Sequence, residues 1–259
     1  MKSRFSWIFA CACALAMSAG SGVPARAQEG PKEKPPMYSY EASWVIPRAQ
    51  WAEMEKSANS NASILEKALA DGTLVGYGSD TNEVHQPDGP THDSWWSSMS
   101  MAGLLNVLGK FAQSGSSTSP VLASATKHWD SITVSRYYNW HSGAFKGAYT
   151  RVAAYKLKPD APDHALDMLC KSLFVPLFEK LLADGTILEY EIDTEAIHTD
   201  NPAMFWIIFI TPNAEDLDKF NTALQAAQRM SSLGGAAFES MIDTSAHRDY
   251  LESSAGIYK

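Results

Sequence analysis

Apolar residues follow two spacings in this chain, one typical of helices and one typical of strands. In residues 64–77 and again in residues 177–190, an apolar stripe at helical spacing runs into Asp-Gly and then gives way to apolar residues at every second position. Gly72 and Gly185 stand where each helix should end, because a residue without Cβ adopts a positive φ at no steric cost. Both segments therefore predict a helix that stops in a tight turn and continues as a strand.

The two segments are copies of each other. Residues 65–85 and 178–198 align without a gap at an offset of 113 and share 11 identities, among them Tyr77/Tyr190 and His85/His198. Unrelated windows of this length would share about one or two residues. The chain therefore contains an internal duplication.

One order of elements surrounds each copy. Alternating or continuous apolar runs predict strands, and stripes at helical spacing predict the helices between them, so that each repeat has the order βαββαβ. The last strand is placed partly because His247-Arg248-Asp249 before it echoes His128-Trp129-Asp130 before the fourth strand. The predicted strands are residues 38–46, 75–80, 94–101 and 131–139 in the first repeat, and 149–157, 188–193, 204–210 and 250–258 in the second.

The chain begins with a pattern typical of export. Lys2 and Arg4 precede an apolar run over residues 7–17, and small residues lead to Ala25-Arg26-Ala27, which predicts a signal peptide over residues 1–27 and a periplasmic or extracellular protein. The run is too short to span a bilayer. A lipidated cysteine is the weaker alternative, because Cys11 and Cys13 lie inside the run.

The mature chain is acidic and has one cysteine. Residues 28–37 are polar and proline-rich, which predicts a tether without structure, and the two repeats then occupy residues 38–140 and 141–259. With 18 basic and 29 acidic residues, the mature chain has a formal net charge of −11 and no electrostatic footprint for nucleic acid. Cys170 lies on an apolar helical stripe and is interpreted as a small buried hydrophobe.

The duplication predicts how the repeats pack. A βαββαβ unit forms a four-stranded antiparallel sheet with both helices on one face, and the other face needs a cover. We therefore predict an α+β fold in which two tandem ferredoxin-like repeats pack sheet to sheet as a pseudo-dimeric α/β barrel. In element order and repeat, residues 38–259 resemble the dimeric α/β-barrel superfamily, fused into one chain, and the chain also resembles exported bacterial proteins.

This resemblance implies a class of function. Members of the superfamily typically bind a small organic ligand between sheet and helices or inside the barrel. They include cofactor-free monooxygenases, lactone isomerases, dehalogenase-like enzymes and haem proteins. None of their signature residues can be matched to this sequence, so the resemblance assigns no role to any single residue.

The duplicated histidines are the leading candidates for chemistry. His85 and His198 both close the copied segment at the end of a strand. A side chain that changes charge near neutral pH suits a general base or a metal ligand, which makes His198 a weak catalytic candidate and His85 a candidate ligand-binding residue. The alternative is a structural role at the strand end, which a duplication would preserve equally well.

A row of acids alternates along the predicted strand 188–193. Glu189, Glu191 and Asp193 share one face and could form a metal site or an acid–base cluster, in which Glu191 is the weak catalytic candidate and the other two are ligand-binding candidates. The first repeat has Gly76 and Gly78 there, which would leave room opposite the acids. The alternative that we favour is an exposed strand face with solvated acids. Neither a metal nor a cofactor is expected, since the usual ligand spacings and phosphate-binding motifs are absent.

The junction between the repeats is unusually aromatic. Tyr138, Trp140 and His141 could wall a ligand pocket or staple the two halves together. Trp95, Trp96 and Trp206 are interpreted as core, and the last two align if a loop difference of three residues is allowed.

Three kinds of function fit these observations. The protein is an exported binder of small molecules, a cofactor-independent enzyme for a small organic substrate, or a non-catalytic structural or interaction module with a filled barrel. We expect one dominant pocket, built mainly by the second repeat, with Tyr138, Trp140 and His141 at its rim beside His198. The expected partner is a small organic ligand, without nucleic acid and without a membrane span, and the sequence does not indicate the oligomeric state.

Export gives the first testable prediction. Cleavage should occur between Ala27 and Gln28, because the Ala-x-Ala pattern ends there. The intact mass of the exported protein should correspond to a chain that begins at Gln28. A different first residue, or lipid on Cys11 or Cys13, would contradict this assignment.

Overall fold

Strands and helices follow the same order in the two halves of the chain. The computed structural model describes residues 31–60, 62–115, 119–198, 203–230 and 232–259, so the predicted signal peptide lies outside the described residues. The first half consists of β1 (Met37–Val45), α1 (Trp51–Ser60), α2 (Ala62–Ala70), β2 (Gly76–Asn82), β3 (His92–Ser98), α3 (Met101–Ser114), α4 (Pro120–Ala123) and β4 (Lys127–Trp140). The second half consists of β5 (Gly143–Lys156), α5 (Ala165–Leu169), a π-helical turn (Cys170–Phe174), α6 (Val175–Ala183), β6 (Glu189–Glu195), β7 (Met204–Thr211), α7 (Ala214–Met230), α8 (Ser232–Met241) and β8 (Arg248–Tyr258).

The copied Asp-Gly-Thr turn ends a helix in both halves. Gly72 and Gly185 have φ values of 81° and 79°, in the left-handed region that glycine adopts without strain. Each turn is also held by its aspartate, whose carboxylate accepts a hydrogen bond from the backbone N–H of the threonine two residues later, at 2.9 Å from Thr73 and 3.0 Å from Thr186. The helix stop predicted from the sequence is confirmed.

The eight strands form one closed antiparallel barrel in the order β1-β3-β2-β8-β5-β7-β6-β4. Each half supplies a sheet with the ferredoxin-like order, β4-β1-β3-β2 in the first and β8-β5-β7-β6 in the second. The second strand of each half pairs with the last strand of the other, β2 with β8 and β6 with β4. The predicted pseudo-dimeric barrel is therefore confirmed, and both of its seams are continuous hydrogen-bonded ladders.

Matching positions in the two halves follow from the strand registers. Tyr77 lies opposite Trp96, and Tyr190 lies opposite Phe209, so the offset of 113 continues into the third strand. Trp96 therefore corresponds to Phe209, and the proposed equivalence of Trp96 and Trp206 is wrong. The paired residues Tyr77 and Trp96 are as far apart in the sequence as Tyr190 and Phe209, so no gap is needed.

The helices cover the outside of the barrel, and a hydrophobic core lies beneath them in each half. In the second half, Phe220 of α7 stacks on Phe209 of β7 with ring centroids 3.7 Å apart, and Phe178 packs against both rings. In the first half, Tyr40 stacks on Trp96 at 4.4 Å beneath the fully buried Leu104 and Val107 of α3. Cys170 is fully buried in the second core, as predicted.

A histidine at the start of the last strand of each half, His128 within β4 and His247 just before β8, holds a neighbouring strand. The ring of His128 stacks on Trp44 at 5.1 Å and donates to the Ser43 carbonyl oxygen at 2.9 Å. His247 stacks on Tyr155 at 4.3 Å and donates to the Ala154 carbonyl oxygen at 3.0 Å. The two His-x-Asp segments therefore have the same structural role, in which the histidine fixes a neighbouring strand.

The end of the predicted tether contacts the barrel. The backbone N–H of Lys34 donates to the Arg136 carbonyl oxygen at 2.8 Å, and the Tyr138 hydroxyl donates to the Pro35 carbonyl oxygen at 2.8 Å. Residues 34–35 are therefore fixed against β4, where a segment without structure was expected. Arg136 lies at the bulge where the register of the pairing between β4 and β6 shifts.

The helices are short relative to a bilayer. Within the described ranges, none of them combines the length and the apolar character that crossing a membrane requires.

Candidate functional site

The acidic row of the second repeat lies inside the barrel. Along β6, Tyr190 and Ile192 face the helices, and Glu189, Glu191 and Asp193 face the interior with exposures of 1 %, 6 % and 1 %. The favoured interpretation of an exposed, solvated face is wrong. It failed because β6 pairs with β4 on one side and β7 on the other, so that closure of the barrel removes this face from solvent.

Four other strands add carboxylates to the same interior. They are Glu41 of β1, Asp80 of β2, Asp93 of β3 and Glu252 of β8. The Asn82 amide joins two of them, donating to Asp93 at 3.0 Å and to Glu252 at 3.1 Å. Asp193 accepts a hydrogen bond from the Thr133 hydroxyl at 2.6 Å.

Among the residues that the structure describes, no lysine or arginine is buried with these acids to balance their charge. An isolated ionised carboxylate in a dry interior costs several kcal/mol, so such groups take up protons or bind a cation. The interior is therefore a set of seven acids that cannot all be ionised at once.

The pKa values of these acids follow from burial. Loss of solvation raises the pKa of Asp80 and of Asp193 to about 7. Burial raises the pKa of Glu189 well above its usual range, and the neighbouring charges of Asp193 and Asp80 add to this effect. The pKa values of the remaining acids, Glu41, Asp93, Glu191 and Glu252, are raised as well, in each case chiefly by burial. At neutral pH the barrel interior therefore holds carboxylic acids more than carboxylates.

Several of the acid oxygens face the interior without a hydrogen-bond partner. Neither carboxylate oxygen of Glu189 has a partner among the described residues. The same holds for one oxygen each of Asp80, Asp93, Glu191 and Asp193. A buried polar group without a partner costs roughly 1–3 kcal/mol, so these oxygens favour a ligand or water in the interior.

Aromatic rings occupy the space that the first repeat leaves open. A Cβ on Gly76 would lie 2.5 Å from the ring of Tyr258, and a Cβ on Gly78 would lie 2.5 Å from the ring of Trp95. The prediction of open room opposite the acids is therefore wrong, because the two glycines make room for these rings. The rings of Trp95, Tyr258, Trp140 and Tyr138 form an aromatic stack with successive centroids 5.3, 5.3 and 5.6 Å apart.

A small interior cavity remains between the acids and this aromatic stack. Its volume is about 40 Å³. At roughly 10–15 Å³ for each water position, it holds about three water-sized groups. Its lining comprises Ser39, Glu41, Asp80, Trp95, Thr133, Thr150, Val152, Glu189, Glu191, Asp193, Ile208, Ile210, Glu252 and Tyr258.

The acids are not arranged as a metal site. Within the described ranges, no group of three or more His, Cys, Asp or Glu side chains is placed so that it could hold a metal ion. The carboxylates are spread along β6 and across the opposite strands instead of converging on one point.

A second, larger cavity contains His198. This edge pocket has a volume of about 180 Å³ and lies between α5 and the strands β6 and β7 of the second half. Its lining comprises Leu157, Leu166, Thr194, Glu195, His198, Ala203, Met204 and Phe205. It therefore combines an apolar wall with a histidine and a carboxylate.

The other predicted residues lie apart from His198. His85 packs against Trp51 with ring centroids 5.1 Å apart. Trp140 donates from its indole to the Lys259 carbonyl oxygen at 3.0 Å, and His141 donates to the Leu182 carbonyl oxygen at 2.7 Å. Tyr138, Trp140 and His141 do not form a rim beside His198, because they lie at the Glu189 end of β6 and His198 follows the other end, about 20 Å away.

Glu41, Asp93 and Glu252 of the interior were not predicted, although their positions carried a signal. Each is an acid at an alternate position of a strand whose other face packs under helices. The acids of five strands become one cluster only when the strands are placed around a ring, which requires their order and register.

The fold is shared with known structures at low sequence identity. No family model and no curated protein matches the chain. The crystal structure of a candidate monooxygenase from Lactobacillus acidophilus superposes with a TM-score of 0.62 and 12 % identity over 85 % of this chain and 94 % of that chain. A candidate monooxygenase from Fusobacterium nucleatum superposes with a TM-score of 0.56 and 9 % identity over 87 % and 95 %.

The chain has the dimeric α/β-barrel fold. At these identities the likeness concerns the fold and not the activity. The function of this chain must therefore be inferred from its own side chains.

The glycine–tryptophan contact gives a prediction on stability. Gly78→Ala should lower the free energy of unfolding by about 1–3 kcal/mol, because the new methyl group would meet the Trp95 ring at 2.5 Å and the Ala255 carbonyl oxygen at 2.8 Å. Denaturant unfolding measures the change. Gly109→Ala in α3 is the matched control, since nothing lies within 4 Å of its new Cβ, and it should be neutral or stabilising. Equal effects of the two changes would contradict the packing argument.

The interior acids predict that stability falls as pH rises. Asp80 and Asp193 bind protons more tightly in the folded state, so they stabilise it below their unfolded pKa of about 4, and this contribution is lost as pH rises through about 7. The melting temperature should therefore decrease from pH 5 to pH 8. The double change of Asp80→Asn and Asp193→Asn should flatten this decrease, and Asp218→Asn on the exposed side of α7 should leave it unchanged. A melting temperature that rises with pH in the parent protein would contradict the assignment.

Proposed function

We propose that this protein is an exported α/β-barrel protein that binds a small organic molecule in the edge pocket of its second half. The proposal rests on one observation. In the first half, a side chain fills the position that corresponds to the edge pocket. Strand register makes Ile46, His85 and His92 the counterparts of Leu157, His198 and Phe205.

In the first half a tryptophan side chain fills this position. The ring of Trp51 lies 5.1 Å from His85 and 5.4 Å from His92, measured between centroids, and its indole N–H donates to the Ile46 carbonyl oxygen at 3.0 Å. The second half has Asp160, Ala161 and Pro162 in the comparable stretch after its first strand, and none of them offers an aromatic ring. The edge pocket is therefore the place that an indole occupies in the other copy.

The size of the edge pocket supports a ligand of one or two rings. A cavity of about 150 Å³ is sufficient to bind benzene. The edge pocket, at about 180 Å³, suits a molecule of that class or one as large as the indole that fills the first half. Leu157, Leu166 and Phe205 would contact its apolar surface.

The polar lining supports orientation of the ligand and, as the finer proposal, chemistry on it. His198 and Glu195 both line the edge pocket, and an imidazole beside a carboxylate can exchange a proton with a bound molecule. A cofactor-independent reaction of a small organic substrate is therefore the enzymatic form of this proposal. Binding without turnover is the simpler form, and both need the same pocket.

The test is binding of indole by the mature chain, measured by ligand-observed NMR or calorimetry. Leu166→Trp should fill the edge pocket and weaken indole binding at least tenfold. Leu105→Trp is the matched control, because Leu105 lies on α3 with 46 % exposure and contacts neither cavity. Binding that survives Leu166→Trp unchanged would overturn the proposal.

The first half supplies an independent arm of the same test. Trp51→Ala removes the ring that fills the matching position, so this variant should bind a second molecule of indole and recover part of its lost stability. Parent protein that binds no indole, together with a Trp51→Ala variant that indole does not stabilise, would show that neither position accepts such a ring.

A further inference from the structure

The lining of the interior cavity includes an acid without a hydrogen-bond partner among the described residues. Glu189 is 1 % exposed, lines the cavity, and has no hydrogen-bond partner for either of its oxygens among the described residues. Glu191 and Asp193 line the same cavity, each with one unpartnered oxygen. These oxygens accept hydrogen bonds, and no described side chain donates to them, so they match a ligand that is rich in donors and carries positive charge.

Aromatic faces border the same cavity. Trp95 and Tyr258 line it together with Glu189, and their rings stack at 5.3 Å. Gly76 and Gly78 are the positions that admit these rings. The electron-rich faces of Trp and Tyr attract cations, most strongly where solvent is excluded.

Carboxylates beside aromatic rings suit one class of cation better than another. Metal ions need several oxygen ligands that converge on the ion at distances of roughly 2.0–2.6 Å. The described residues offer no such group. An ammonium group needs only hydrogen-bond acceptors around its N–H bonds, and its methyl groups pack on aromatic faces. Carboxylates beside aromatic rings are therefore matched to an organic ammonium ion.

We propose that the barrel interior is a binding site for a small alkylammonium ion, which binds as Glu189 releases its proton to solvent, so that the Glu189 carboxylate holds the ion and the rings of Trp95 and Tyr258 pack against it. Glu191 and Asp193 supply further acceptors on the same side. This site is separate from the edge pocket, since the two cavities share no lining residue, and it does not depend on the function proposed there.

The cavity volume limits the size of the ion. About 40 Å³ corresponds to roughly three water-sized groups, which admits methylammonium or dimethylammonium and excludes tetraethylammonium. Glu41 and Trp95 in the lining are only partly buried, and their exposed sides mark the route by which an ion of this size would enter.

The test compares methylammonium chloride with sodium chloride at equal ionic strength, using the full mature chain. Methylammonium and dimethylammonium should raise the melting temperature in a saturable way, and sodium and tetraethylammonium should not. The methyl resonance of bound methylammonium should move upfield, because it lies over aromatic rings. Glu189→Gln should weaken binding at least tenfold, whereas Glu83→Gln at the exposed position just after β2 should leave it unchanged.

Three results would overturn the proposal. They are stabilisation by sodium equal to that by methylammonium, stabilisation by calcium in its place, and binding that Glu189→Gln does not weaken. The methyl resonance serves as a second measurement in the parent protein if Glu189→Gln does not fold. An unshifted resonance at saturating protein would show that the ion does not lie against the aromatic stack.

Discussion

Closure of the barrel at its two seams is the constraint on which the rest of the structure depends. A four-stranded sheet leaves two edges with unpaired backbone groups and one uncovered face. Pairing β2 with β8 and β6 with β4 satisfies both edges of both sheets at once. The same pairing turns the uncovered faces inward, so whatever side chains they carry become the interior of the molecule.

The inward faces have diverged between the halves, and this divergence explains the asymmetry of the molecule. At matching positions of β2 and β6, the first half has Gly76 and Gly78 and the second half has Glu189 and Glu191. The glycines admit the rings of Trp95 and Tyr258 and the glutamates bring carboxylates, so the two halves contribute different side chains to the cavity. Outside the barrel it is the first half that has the larger side chain. Trp51 fills a position there that the second half leaves open as the edge pocket.

The sequence predicted the fold well because its signals were local and repeated. The Asp-Gly-Thr turns, the period-two strands and the His-x-Asp segments each depend on residues near one another in the chain. The error in pairing Trp96 with Trp206 came from matching residue types where the strand register decides the equivalence.

The candidate site was only partly predictable, for a topological reason. The acids of β6 were visible as an alternating row, but solvent exposure could not be judged until both neighbours of that strand were known. Asp93 and Glu252 join the cluster through Asn82, and the separation of Asn82 and Glu252 by 170 residues shows why no local pattern reveals it. The rim expected from Tyr138, Trp140 and His141 failed for the same reason, since the linker and His198 lie at opposite ends of β6.

The central claim is that barrel closure buries acids without a balancing positive charge, so that the folded protein retains protons that the unfolded chain releases. Potentiometric titration of the mature protein, folded and in denaturant, tests this claim most directly by counting bound protons at each pH. The folded protein should hold several more protons than the unfolded chain at pH 7. The titration curves of the folded and unfolded protein should converge at acid pH. Folded and unfolded chains that bind equal numbers of protons at pH 7 would contradict it.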